Sequence, residues 1–106
     1  MTDPLRSNPC HARRTVRAII AGRVQGVGYR AWTQAEAAAT GVSGWVRNRA
    51  NGDVEALLSG PPAAVDALCA RLWRGPTAAR VERVDICAVE DPAAEAASGF
   101  RQIATI

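Results

Sequence analysis

An α+β fold is predicted for this 106-residue chain by three observations. Apolar and polar residues alternate from Val16 to Val24 and again around Val84, Ile86 and Ala88; Val65, Leu68 and Leu72 recur at helical spacing; and Asn51-Gly52 separates two further strand-like runs. Alternation lines one face of a strand, a three-to-four spacing lines one face of a helix, and Asn-Gly is the strongest short signal for a hairpin turn. The resulting order, strand, helix, strand, strand, helix, strand, is the ferredoxin-like split β-α-β arrangement (βαββαβ), with two helices packed on one face of an antiparallel sheet. At this length, a hydrophobic share of 48% is enough for a single core without metal or disulfide staples.

Residues 1–14 read as a flexible tail, polar and proline-containing, and 15–106 as one domain. In the first strand, Val16, Ala18, Ile20 and Gly22 alternate with Arg17, Ile19, Ala21 and Arg23. Ala31 to Thr40 is rich in helix formers, sets Trp32, Ala35 and Ala39 on one face, and stops at Gly41, suited to a left-handed cap. Val42 to Asn48 and Val54 to Ser59 form the hairpin, with Asn51 as the turn residue. Pro61 and Pro62 suit a helix start, and Gly75-Pro76 closes that second helix. A fourth strand follows at Val84 to Ala88, and Phe100 to Ile106 forms a short last one whose alternation leaves its facing open.

Composition removes several classes of function. All thirteen basic residues are arginines, so no lysine is available for a Schiff base. Cys10, Cys69 and Cys87 are odd in number and widely spaced, His11 alone could join them, and neither a metal site nor any other cofactor is expected. Cys69 and Cys87 fall in helix and strand patterns and read as core residues, as do Trp32, Trp45 and Trp73. The formal charge of +3 is mild and partly sits at Arg6, Arg13, Arg14 and Arg17, a solvated segment rather than a nucleic-acid stripe. No apolar run approaches a membrane span, and the first fourteen residues lack the hydrophobic segment of a secretion signal; a cytoplasmic, reduced protein is expected.

The chemistry concentrates in Gly22-Arg23-Val24-Gln25-Gly26-Val27-Gly28-Tyr29-Arg30, which leaves the first strand and enters the first helix. Glycines at such a turn let backbone N–H groups converge, a helix N-terminus adds positive potential, and arginine supplies a forked clamp, so the ligand class is phosphate or carboxylate. Taken alone, the run reads sooner as a simple tight turn followed by an arginine that reaches solvent. It lacks the third glycine of a dinucleotide loop and the lysine-serine pair of a Walker loop.

Together with Gly44-Trp45-Val46-Arg47-Asn48, Gly52, Val54 and Gly60, this run resembles both signature stretches of the acylphosphatase family. The resemblance covers nearly residues 15–106 and implies hydrolysis of a carboxyl-phosphate anhydride to carboxylate and inorganic phosphate. By the same resemblance Arg30 binds phosphate, Asn48 holds the attacking water, and backbone N–H groups of Gln25, Gly26, Val27, Gly28 and Tyr29 wrap the phosphate oxygens without needing their side chains. The family often has a small hydroxyl residue after the asparagine, whereas this chain has Arg49, so that contact is not carried over. Arg47 and Arg49 read as solvated or substrate-steering.

An acyl phosphate has a good leaving group and a loose transition state, so positioning and electrostatics suffice without a metal. The expected partner is a small acyl phosphate, with no nucleic acid and no membrane, and the protein is expected to be a monomer. Two other readings stay open: a phosphate-handling module of a carbamoyl-transfer assembly, and an RNA-binding module of the same element order. The second would need exposed aromatics on the central strands, and the chain has one phenylalanine and one tyrosine, the latter in the glycine run.

Overall fold

The computed structural model describes residues 13–90 and 99–106. Its elements run β1 (Arg14–Arg23), α1 (Tyr29–Thr40), β2 (Ser43–Asn48), β3 (Val54–Gly60), α2 (Pro62–Leu72), β4 (Arg80–Ala88) and β5 (Phe100–Gln102). The expected order is present, and the strands form one sheet in the order β4-β1-β3-β2-β5. The neighbours among β1 to β4 pair antiparallel, while β5 runs parallel to β2, so the sheet is mixed. That direction was not readable from three residues. The amino-terminal tail expected over 1–14, with Cys10 and His11, falls outside the described residues up to position 12; Arg14 opens β1 opposite Gly60.

The core lies between the helices and one sheet face. Val16, Ala18 and Ile20 from β1, Val46 from β2, Val54, Ala56 and Leu58 from β3, and Val65, Leu68 and Leu72 from α2 are fully buried there. Burial of a side chain of this size stabilises by roughly 1.5 to 3 kcal/mol. Val54 has a double role in the register: it stands opposite Ile20 on β1 and opposite Asn48 on β2.

In α1 the buried residues are Tyr29, Thr33 and Ala37. The expected stripe of Trp32, Ala35 and Ala39 is therefore corrected: Trp32 packs partly on the core, but Ala35 and Ala39 face outward. Alanine has little apolar area to decide a helix's rotation, whereas the Tyr29 ring does. Thr33 can turn inward because its hydroxyl donates to the Tyr29 carbonyl, 2.8 Å away, leaving no unpaired polar atom.

The sheet face without helices carries a polar network. Glu55 is only 4% exposed, accepts a 2.9 Å bond from Arg47 Nε and lies 3.8 Å from Arg17 Nε. The Arg47 guanidinium sits over the Trp45 ring at 4.7 Å. Arg47 thus has a structural role, and Trp45 serves as its platform rather than as core. Trp73, at the end of α2, is 52% exposed, and Cys87 is exposed on the edge strand β4. Core packing fails for both because no element covers those positions. Cys69 does pack against the core, and burial pushes its thiol pKa up, with the nearby Asp66 carboxylate adding to the shift.

Candidate active site

The glycine run leaves β1 at Arg23 and bends through Gln25 to Gly28 before α1 begins at Tyr29. Gly26 has φ 75° and Gly28 φ 82°, while no other residue type takes positive φ among the described residues. The backbone sign therefore alternates along Gln25, Gly26, Val27 and Gly28, the geometry that turns successive N–H groups into one concavity. A Cβ added at Gly26 or Gly28 would meet nothing within 4 Å, so backbone conformation and not space requires glycine there. Among the described residues, the N–H groups of Gly26, Val27 and Gly28 donate to no protein acceptor.

Helix α1 adds its own field. Its N-cap, Gly28, makes no side-chain cap and its first turn holds no acidic residue, so the orphan N–H groups and the positive dipole end stay uncompensated. Arg30 sits in that turn, half-buried, with no ion pair among the described residues.

Asn48 is the last residue of β2 and shares the core-side face with Val46 and Val54. A cavity of about 140 Å³ is lined by Val24, Gly26, Gly28, Tyr29, Arg30, Ala31, Asn48 and Gln102. Of the residues singled out in the sequence, Arg30, Asn48, Gly26, Gly28 and Tyr29 thus share one concave site. Gln25 and Val27 do not line it: Val27 packs against the core, and the Gln25 carboxamide turns to the hairpin. Asn51 stays local, its side-chain Oδ1 accepting from the Asp53 N–H at 3.0 Å.

Gln102 is the polar lining residue that the sequence reading missed. It belongs to β5, whose parallel docking beside β2 sets it opposite Val46. Gln102 Nε2 donates to Gln34 Oε1 at 2.9 Å, and Gln34 Nε2 donates in turn to the Phe100 carbonyl at 3.0 Å. That chain fixes the amide orientation of a residue that lines the cavity. Only the direction of β5 reveals this, and no local pattern encodes it.

With the geometry in hand, kinship decides the family. The acylphosphatase family model matches residues 16–102. The chain belongs to the acylphosphatase family. It is 50% identical over 92 residues to an acylphosphatase of Azorhizobium caulinodans, covering 87% of this chain and 97% of that protein. An acylphosphatase structure from Coxiella burnetii superposes with a TM-score of 0.83 at 29% identity, covering 92% of this chain and 99% of the other. One from Bacillus subtilis superposes with a TM-score of 0.80 at 32% identity, covering 85% and 98%. Kinship of this extent covers the whole ferredoxin-like unit of this acylphosphatase-family chain, cradle and hairpin included. No helix among its described residues is long and apolar enough to cross a membrane.

Proposed function

We propose that the protein hydrolyses acyl phosphates to a carboxylate and inorganic phosphate, with Arg30 and the N–H groups of Gln25 to Tyr29 holding the phosphoryl group and Asn48 orienting water. The observation that carries this reading is one cavity lined by an uncompensated helix N-terminus, two left-handed glycines, Arg30 and Asn48. Water attacks phosphorus opposite the acyl oxygen, the acyl oxygen–phosphorus bond breaks, and the carboxylate departs with its electron pair. Charge grows on the peripheral oxygens, where preorganised amides and a fork-shaped cation stabilise it without reorganising.

The proton of the water goes to a phosphate oxygen in this scheme. Among the described residues no histidine or carboxylate lines the cavity, and Asn48 can accept a hydrogen bond but cannot take a proton. The Tyr29 hydroxyl is already committed to the Leu72 carbonyl at 2.6 Å.

The protein acts in this reading as a cytoplasmic monomer, without metal, cofactor or nucleic acid. Against RNA binding stands the open sheet face, where the Trp45 ring that could stack a base is covered by Arg47. The test is hydrolysis of benzoyl phosphate with a chelator present. Turnover unchanged by chelator, and flat with pH where an enzyme base would titrate, supports the scheme. Chelator-sensitive turnover sinks the metal-free part, and absent turnover sinks the activity.

A further inference from the structure

The cradle and the hairpin are linked by a side chain with no part in binding phosphate. Gln25 Nε2 donates to the Arg49 carbonyl and to the Asp53 carbonyl, each at 2.8 Å. Both amide hydrogens are thereby used. The Arg49 N–H donates to the same Asp53 carbonyl at 2.8 Å, so the base of the hairpin loop and the Gln25 carboxamide form one closed unit. Gln25 precedes Gly26, the first of the two left-handed glycines that line the cavity, and Arg49 follows Asn48 directly. Among the described residues no other side-chain hydrogen bond joins Gln25 to Gly28 with the hairpin.

We infer that Gln25 is a positioning residue that fixes the distance between the phosphate cradle and Asn48. This rests on the reading of Asn48 as the residue that orients water. Cradle and hairpin belong to different loops, joined through the sheet only as far as the pairing of Ile20 and Asn48 with Val54. Beyond that pair each is held by a different neighbour, the strand entering the cradle by β4 as far as Arg23 and the hairpin by Ile106, so the ladder no longer sets one against the other; a misplacement near 1 Å costs on the order of a hundredfold in rate. The carboxamide bridges the gap at the point where the ladder ends. Neither end of the bridge is a ligand-binding atom, so loss of the bridge acts on attack geometry and leaves the anion site assembled.

The test pairs Gln25→Met, which keeps length without donors, and Gln25→Glu, which sets an acceptor against two carbonyls, with Asn48→Ala. Benzoyl phosphate turnover and inhibition by inorganic phosphate are measured for each single variant and for Gln25→Met combined with Asn48→Ala, with melting temperatures confirming a folded protein. Expected for Gln25→Met is a kcat loss of about 10- to 100-fold with the phosphate inhibition constant changed less than about threefold. In the Asn48→Ala background the same change costs less than about twofold, because the group it positions is already gone. An equal loss in both backgrounds, or phosphate affinity falling in step with kcat, overturns the positioning role. Undiminished activity in Asn48→Ala overturns the Asn48 reading itself, and this inference with it. If Gln25→Met does not fold, the Gln25→Glu variant decides by the same comparison.

Discussion

The Tyr29 phenol donates a 2.6 Å hydrogen bond to the main-chain carbonyl of Leu72, tying the first residue of the helix that carries Arg30 to the last residue of the other helix. Tyr29 is 1% exposed, its ring lies 5.4 Å from that of Trp32, and burial drives its pKa far above the ordinary tyrosine value. The phenol is therefore a brace for the start of α1, and its protonation state is coupled to folding.

Tyr29→Phe leaves the Leu72 carbonyl unpaired and should lower stability by about 1 to 3 kcal/mol. The pH dependence follows from the raised pKa. The unfolded phenol ionises near its ordinary value of about 10 and the folded one only well above it, so its contribution is complete below about pH 10 and is lost as pH rises further. Melting temperatures between about pH 8 and 11 should fall less steeply at the alkaline end in Tyr29→Phe than in the native chain. Tyr29 is the sole tyrosine, so tyrosinate absorbance should develop only with unfolding. Ionisation of the folded protein near its ordinary value would contradict this.

Arg30→Ala should remove both phosphate affinity and turnover, because in the proposed mechanism one group serves ground state and transition state alike. A charge-assisted bond contributes roughly 1.5 to 3 kcal/mol, so phosphate inhibition weakens by about 10- to 100-fold. Asn48→Ala should lower kcat by about 100- to 1,000-fold, the scale for losing one preorganised group, with the phosphate inhibition constant unmoved. Equal effects on binding from the two variants would contradict the division of roles.

Gly28→Ala forces a side chain into left-handed backbone at a cost of about 1 to 2 kcal/mol, with no clash to add to it. If the loop flips to relieve that strain, its N–H groups no longer converge. Inorganic phosphate binding by calorimetry should then weaken by more than the melting temperature suggests. Intact binding in a destabilised protein would show that the loop amides do not hold the anion.

Gln102 lines the cavity from β5, an element separate from the glycine run, with its Nε2 committed to Gln34. Gln102→Leu should leave phosphate inhibition within about twofold and raise the kcat/KM ratio of benzoyl over acetyl phosphate by roughly fivefold, the scale of one buried methylene or two. An unchanged ratio would remove Gln102 from acyl recognition.

Much of this molecule is legible in its sequence, for reasons that can be named. Val16, Ala18 and Ile20 alternate because a strand with one covered face must alternate, and they are buried in the structure as the pattern requires. Arg30 and Asn48 carry their signal in local glycine and turn chemistry, and they line one cavity. What stayed hidden depends on long-range placement. The inward face of α1 is set by Tyr29 reaching Leu72, 43 residues on. Arg47 is turned from the site by Glu55 across the hairpin. Gln25 and Gln102 are ordinary polar residues until the hairpin and β5 arrive beside them.

The shared pairing of Val54 makes β3 a gauge for the whole enzyme. Because Ile20 and Asn48 both index on that residue, a slip of β3 by one position against β1 would turn Glu55 into the core and carry the hairpin about 3.3 Å along the sheet, away from the cradle. A misregistered chain could thus be neither stable nor slightly active. With Asn48 and the cradle in their proposed roles, catalytic alignment is proofread by the same ladder that proofreads folding, and hydrolytic activity becomes a stringent assay of whether the sheet has been assembled in register.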